Sequence, residues 1–316
     1  MNTNLINQLK KLILALALLS VFCANAQNID RSSLLKDIET LSSDLFAGRK
    51  TGTEGNKAAA EYIATRFKET GLKSFQDHYR HPFSFKNRKS ELINGTNLIG
   101  FVKGKTDDVV VISAHYDHVG VNNSMIYNGA DDNASGVSVL LGIAEYFKVH
   151  KPRNTLLFIA FDAEEMGLQG AYAFLKEPII PRKSMIMNVN MDMVSHNDRS
   201  ELYAVGTYKT PILKEILEDA DYNTGINILL GHDIPGSGKD DWTMQSDQGP
   251  FAKENIPFIY FGVEDHDDYH KPSDKFATIN QNFFHSASTA ILRSILKIDK
   301  NLNKIKANST DSLKTK

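Results

Sequence analysis

The sequence predicts an α/β protein: a single domain of three layers, α/β/α, around a mixed, mostly parallel central sheet. Short apolar runs rich in β-branched residues alternate along the chain with segments of helical periodicity. Strands that alternate with helices usually form a largely parallel sheet that helices cover on both faces. The stretch from residue 27 to residue 300 has the length of one large domain of this kind.

The helices are expected where apolar residues recur at helical spacing. In the first of them Leu34, Ile38 and Leu41 share one face, and the second is expected to end at Gly71, because glycine commonly follows the last turn of a helix. The third precedes the most apolar strand, and the last closes the domain. In chain order, the expected helices cover residues 32–43, 55–70, 137–147, 211–218 and 283–298.

The strands are expected where apolar runs are too short for helices. The first two are rich in β-branched residues, the next two read as fully buried, the fifth reads as an edge strand, and the last is again strongly apolar. In chain order, the expected strands cover residues 98–102, 109–112, 156–161, 185–191, 202–205 and 256–261.

The two ends of the chain differ from the domain between them. Residues 1–26 have the features of a signal peptide: a lysine pair, an apolar run over 12–22 and small residues up to Ala26. We expect cleavage after Ala26, export to the periplasm or the exterior, and no stable membrane association, because the run is too short to span a bilayer. Residues 301–316 are polar and rich in lysine, and a flexible tail is expected there.

Composition excludes several functions. Cys23 is the only cysteine, so a chain cleaved after Ala26 has no disulfide, thiolate metal site or cysteine nucleophile. Lipidation of Cys23 is an alternative to that cleavage, but the bulky Phe22 fits a lipidation site poorly. A formal net charge of −2 and a pI near 6.6 argue against nucleic acid as a partner.

Five short stretches carry residues of the types that commonly bind metal ions. Each follows or ends an apolar run, and open α/β sheets bind ligands at the carboxyl ends of their strands. Two histidines with several carboxylates form the ligand set of borderline divalent ions, above all zinc. The number of ligands indicates two metals and therefore hydrolysis. The stretches are His115-Tyr-Asp117, Gly129-Ala-Asp131-Asp132-Asn133-Ala-Ser-Gly136, Asp162-Ala-Glu164-Glu165, Asn190-Met-Asp192 and Asp268-Tyr-His270.

The individual motifs differ in how much they indicate. Asp117 is placed to orient the imidazole of His115, whereas His118 has no such argument and is given no role. Adjacent side chains on an extended backbone point apart, so Glu164 and Glu165 are expected to do different work. One would bind metal and the other would act as a general base.

As an ordered set, these stretches resemble peptidase family M28, the zinc peptidases with two co-catalytic ions. The resemblance implies a fold of the class already predicted and two zinc ions (Zn²⁺) per chain. Asp132 would bridge the two ions. His115 and Asp192 would complete one site, and Glu165 and His270 would complete the other.

The resemblance runs from about Leu41 through the closing helix. It implies that Glu164 is the general base, that Asp117 holds His115, and that the peptide bond after Asp132 is strained and can be cis.

Three functions are compatible with these residues. The first is an aminopeptidase that removes N-terminal residues from peptides with a free N-terminus. The second is a glutaminyl-peptide cyclotransferase, whose relatives have a related fold, generally lack the full Asp-Asp-Asn-Ala-Ser-Gly stretch and use one zinc. The third is a non-catalytic binding module, which is disfavoured because every expected ligand is present. The oligomeric state does not follow from the sequence.

Overall fold

Alternate residues of the central strands face opposite sides of the sheet and pack into two separate cores. The computed structural model describes residues 27–75, 77–218, 220 and 222–314. In strand 109–115, Val110 and Ile112 lie in the larger core, and Val109 and Val111 lie in the smaller one. This period-two division is what a strand buried on both faces requires. The three-layer α/β/α prediction is therefore confirmed.

The large sheet contains eight strands within the described residues, and a separate short hairpin consists of β4 and β5. The sheet order is β1-β2-β6-β3-β7-β10-β8-β9, and the central strands β6, β3, β7 and β10 are parallel. Strands β1 and β2 are antiparallel to their neighbours, as is the β10–β8 pair. The strands are β1 Arg80–Lys86, β2 Leu92–Val102, β3 Val109–His115, β4 Gly120–Asn122, β5 Met125–Tyr127, β6 Thr155–Phe161, β7 Met185–Met191, β8 Glu201–Val205, β9 Asn227–Leu230 and β10 Phe258–Gly262.

Helices cover both faces of the sheet. The apolar residues of α1, α2, α3, α5 and α7 pack in the larger core, and those of α4 and α6 pack in the smaller one. The helices are α1 Arg31–Leu41, α2 Glu54–Glu69, α3 Gly136–Val149, α4 Gln169–Lys176, α5 Ile212–Glu218, α6 Gln248–Lys253 and α7 Gln281–Lys314.

All eleven expected elements are present, and the structure adds several. The strand expected at 202–205 is not an edge strand, because β8 pairs with β10 on one side and β9 on the other. Strand β1 was missed although Phe83 and Phe85 alternate with polar residues, a weak signal next to Pro82. The helices α4 and α6 and the true edge strand β9 were also not expected from the sequence.

The prediction of a flexible tail at residues 301–316 is wrong for most of that segment. Helix α7 continues to Lys314, and Leu302 and Ile305 on it are buried in the larger core. Their spacing of three residues places both on one helix face, so a polar, lysine-rich segment still contributes an apolar stripe. The expected signal peptide, residues 1–26, lies outside the described residues. Among the residues described, no helix is both long and apolar enough to cross a membrane.

Candidate metal centre

The carboxyl ends of the four parallel strands bring the predicted site residues together. Strand β3 ends at His115, and Asp192 directly follows β7. Glu164 and Glu165 lie in the turn after β6, and His270 lies in the loop after β10. Asp132 enters the same space from the loop that precedes α3. All of them reach one edge of the sheet because parallel strands end on the same side.

A first donor group consists of His115, Asp132 and Asp192. Nε2 of His115 lies 3.2 Å from Oδ1 of Asp192 and 3.4 Å from Oδ1 of Asp132. All three residues are buried. Nδ1 of His115 lies 3.1 Å from the carbonyl oxygen of Asp117, which can only accept a hydrogen bond. Nδ1 therefore carries a ring proton, which leaves Nε2, the nitrogen that faces the two carboxylates, as the one that can bind a metal ion.

A second donor group consists of His118, Asp132, Glu165 and His270. Nε2 of His270 lies 3.0 Å from Oδ2 of Asp132 and 3.2 Å from Oε1 of Glu165. Nδ1 of His118 lies 2.8 Å from that same Glu165 oxygen and 3.6 Å from Oδ2 of Asp132. Asp132 thus turns one carboxylate oxygen to each donor group, the arrangement expected of a ligand that bridges two ions.

The donor atoms fit divalent cations. Zinc in a tetrahedral site lies about 2.0–2.2 Å from nitrogen and oxygen ligands, so its ligands are about 3.3–3.6 Å apart. The six separations above, from 2.8 to 3.6 Å, are close to that range. Within the described part of the chain, Oε1 of Glu165 has no hydrogen-bond partner although it is buried. A buried carboxylate oxygen without a partner is costly, and a cation would compensate it.

The side chain of Asp117 was expected to orient the imidazole of His115, but the structure gives it another role. Its carboxylate oxygen Oδ1 is 3.7 Å from Nδ1 of His115, farther than its own carbonyl oxygen. The carboxylate instead accepts the backbone N–H groups of Glu164 at 3.0 Å and Glu165 at 3.3 Å. The side chain of Asp117 therefore fixes the turn that carries both glutamates, and its main chain orients the imidazole of His115.

The loop that carries Asp132 is held by buried hydrogen bonds. The carboxylate of Asp274 accepts the backbone N–H groups of Asp131 at 2.8 Å and Asp132 at 3.1 Å. Oδ1 of Asn133 accepts the N–H of Gly136, the first residue of α3, at 2.9 Å. The peptide bond between Asp132 and Asn133 is cis, as the family resemblance implied.

A further group of possible ligands, His196, His266 and Asp268, lies beside the centre. Both ring nitrogens of His266 are already engaged: Nε2 is 3.0 Å from Oδ2 of Asp131, and Nδ1 accepts the N–H of Asp268 at 3.2 Å. His266 stacks on His196 with ring centroids 3.8 Å apart. This group therefore supports Asp131.

Glu164 has the electrostatic surroundings of a proton acceptor. Burial raises its pKa well above the usual range for glutamate, and the carboxylates of Asp192 and Asp247 act in the same direction, whereas His115 opposes them. Asp247 is fully buried, and neither of its carboxylate oxygens has a hydrogen-bond partner among the described residues. A carboxyl group with a raised pKa can hold a proton near neutral pH, which general acid–base chemistry requires.

Two residues near the centre were not assigned from the sequence. His118 received no role, because a histidine three residues after another has no specific pattern, yet the structure places it in the second donor group. Asp274 ends the same turn-rich stretch as His270, but only the tertiary structure shows that it accepts the backbone N–H groups of the Asp132 loop.

The fold and the donor groups together define an α/β protein with a metal centre at the carboxyl ends of parallel strands. The model of Peptidase family M28 matches residues 97–295, and the chain therefore belongs to this family. Aminopeptidase YwaD of Bacillus subtilis is 36% identical to the chain over 126 residues, which cover 38% of this chain and 26% of YwaD. The chain spans about half the length, or less, of the curated relatives it matches.

Solved structures share the fold. BSAP, a zinc aminopeptidase from Bacillus subtilis, is similar with a TM-score of 0.70 and 18% identity, over 84% of this chain and 95% of that one. Porphyromonas gingivalis glutaminyl cyclase is similar with a TM-score of 0.69 and 18% identity, over 84% of this chain and 98% of that one. At this level of identity the two structures establish the fold and leave the choice between the two activities open.

Proposed function

We propose that the chain is an aminopeptidase that binds two zinc ions and removes N-terminal residues from peptides. The observation that carries this proposal is the position of Asp132, whose two carboxylate oxygens face two different donor groups. A centre for one metal would need only one of these groups. Membership of a peptidase family and the likeness to aminopeptidase YwaD and to BSAP, both from Bacillus subtilis, support peptide hydrolysis.

The residues around the two donor groups divide the catalytic work. If zinc ions were held by these two groups, they would supply Lewis acidity that activates water and polarises a carbonyl. Glu164 accepts the proton of the attacking water and passes it to the leaving amine. Its backbone is fixed by Asp117, whose carboxylate accepts the N–H of Glu164 at 3.0 Å. His115 is held in the tautomer that leaves Nε2 free to bind metal.

Peptide substrates would enter through a cleft beside the second donor group. A cavity of about 600 Å³ is lined in part by Asp117, His118, Glu165 and Met166. This volume lies within the usual range of about 300–1,000 Å³ for ligand sites. The carboxylates at its base would attract the positively charged amine of a free N-terminus. Export of the chain after cleavage at Ala26 remains part of this proposal.

Glutaminyl-peptide cyclisation is the second candidate. It is favoured by the overall likeness to Porphyromonas gingivalis glutaminyl cyclase, whose TM-score of 0.69 is close to the 0.70 of BSAP. The presence of two donor groups that share Asp132 favours the aminopeptidase, because the cyclotransferases with a related fold generally use one zinc.

The two candidates differ in product. We expect zinc-loaded protein to release free amino acids from aminoacyl chromogenic substrates and short peptides, and to leave N-acetylated versions of the same peptides intact. Glu164→Gln protein and chelator-treated protein are the controls for a contaminating protease. Cyclisation of glutaminyl peptides without release of free amino acids would establish the second candidate, and cleavage of acetylated peptides would contradict recognition of the N-terminus.

A further inference from the structure

We propose that His118 is a fourth protein ligand of the ion bound by Asp132, Glu165 and His270. The two metal positions would then be unequal, one held by four side chains and the other by three. This inference rests on the proposed metal centre, and it adds a ligand that neither the sequence nor the family resemblance assigned. It follows from the position, packing and hydrogen-bonding state of the His118 ring.

The ring of His118 is held in place by its surroundings. The residue follows β3 by three positions and is 1% exposed. Gly129 lies against it with φ +57°, and a Cβ there would come within 2.6 Å of two ring carbons of His118. The loop before Asp132 therefore approaches the ring so closely that a side chain at position 129 would displace it. An imidazole packed in this way has a fixed orientation, so the direction of each ring nitrogen is also fixed.

Neither ring nitrogen of His118 has a hydrogen-bond partner among the described residues. This is unusual, because a buried histidine normally pairs both nitrogens with protein groups or water. Nδ1 lies only 2.8 Å from Oε1 of Glu165, yet this pair does not meet the angular requirement of a hydrogen bond. A nitrogen and an oxygen that approach without pointing at each other have the relation expected of two ligands that converge on one ion.

The separations within the second donor group agree with four-coordinate zinc. Nδ1 of His118 is 2.8 Å from Glu165 and 3.6 Å from Asp132, and Nε2 of His270 is 3.2 Å and 3.0 Å from the same two oxygens. Ligands of a tetrahedral zinc are about 3.3–3.6 Å apart. Of the His118 distances, the 3.6 Å to Asp132 lies within this range and the 2.8 Å to Glu165 lies below it, and both His270 distances also lie below it.

The extra ligand has a chemical consequence. Zinc with four protein ligands is characteristic of structural sites, whereas catalytic zinc usually keeps an open fourth position, so water or substrate would reach the ion of the second donor group only as a fifth ligand. The first donor group, with His115, Asp132 and Asp192, supplies three ligands and leaves such a position. The ion of the second donor group would therefore be the more firmly held, and exchange with solvent would occur first at the three-ligand position.

The test compares His118→Phe, which keeps a ring of similar size, with His150→Phe as a matched control. His150 is a half-buried residue at the end of α3. His150 stacks on Tyr146 with ring centroids 4.1 Å apart and belongs to no donor group. Zinc content is measured after dialysis against increasing chelator, and zinc X-ray absorption counts the imidazoles bound. Circular dichroism of the metal-free proteins checks that each variant is folded.

We expect wild-type protein and His150→Phe to lose zinc in two steps, with three imidazoles distributed over two ions. In His118→Phe the absorption signal should fall to two imidazoles. The more firmly held ion should weaken by more than the ~10–100-fold that loss of an outer partner of a zinc ligand typically causes. His118→Asn, which returns an oxygen near the position of Nδ1, should recover part of this loss, and it replaces His118→Phe if that variant does not fold.

An unchanged imidazole count in folded His118→Phe or His118→Asn protein would overturn the proposal. That result would leave His118 as a neighbour of the ligands, even if zinc affinity fell. The outcome is separate from that of the proposed function. If wild-type protein held a single zinc ion, the two-zinc proposal would fail, and the loss or retention of one imidazole in the variants would still decide whether His118 binds that ion.

Discussion

The buried guanidinium of Arg49 gives a prediction that links the fold to the metal centre. Arg49 is 1% exposed and donates four hydrogen bonds to main-chain carbonyl groups: those of Leu41 and Asn128 at 2.6 Å, Tyr116 at 2.8 Å and Gly129 at 2.9 Å. These carbonyls belong to the end of α1, the segment after β3 and the loop that leads to Asp132. One side chain thus joins three separate segments beneath the centre.

Arg49→Met keeps the length of the stem and removes the charge and all four donors. Burial lowers the pKa of Arg49 to about 10, with nearby carboxylates including Asp132 opposing this effect, so the group is charged at neutral pH. Its hydrogen bonds are charge-assisted, and each is worth about 1.5–3 kcal/mol. The sum overstates the loss, because Met avoids the desolvation of the guanidinium. We expect a decrease of about 3–5 kcal/mol in the free energy of unfolding, because four buried carbonyl oxygens lose their donor and each unsatisfied acceptor costs about 1–3 kcal/mol, from which the avoided desolvation is subtracted.

The decrease can be measured by urea unfolding at fixed free zinc concentration, with Arg49→Lys as the comparison. Lysine keeps the charge but cannot reach four carbonyls with one ammonium group, so an intermediate loss is expected. Zinc content, determined on the same samples, separates a loss of fold stability from a loss of metal. A decrease below about 1 kcal/mol for Arg49→Met would refute the reasoning, because it is smaller than the value of a single such hydrogen bond.

Two further predictions concern the glutamates and the effect of pH. Glu164→Gln should keep both zinc ions while turnover falls ~10²–10⁴-fold, because only the general base is removed. Glu165→Ala should lose one ion or bind it more weakly, because a metal ligand is removed. Elemental analysis and rate measurements test both, and a Glu164→Gln protein that lost an ion beside a Glu165→Ala protein that kept both would show that the two roles are reversed. Burial would lower the pKa of His270, but the neighbouring carboxylates of Asp132 and Glu165 outweigh it and raise the pKa to about 10 in the metal-free protein. Zinc must displace that proton, so calorimetry should show proton release on binding and weaker affinity at about pH 6 than at about pH 8, and equal affinities would contradict this. The stability that protonated His270 adds to the metal-free protein should be complete below about pH 6.5 and be lost as the pH rises through about 10.

Local pattern was sufficient for the central strands and for the types of metal ligand. Strand β3 was expected at 109–112 because a short β-branched run has few alternatives to a buried strand, and the structure extends it to His115. Helix α7 was expected only to residue 298, since the polar residues after it conceal Leu302 and Ile305, whose burial depends on a core built by distant segments. The resemblance to peptidase family M28 added the bridging position of Asp132.

The sequence by itself determined that a parallel α/β sheet forms and that carboxylates and imidazoles follow its strands, because both are encoded over a few neighbouring residues. Only the tertiary structure decided the strand order β6-β3-β7-β10 and the distances between the donors that this order creates. It also decided that His118 joins Glu165 and His270, and that the carboxylate of Asp117 supports the glutamate turn. These relations join residues that are up to about 150 positions apart, and such contacts are set by the packing of whole elements.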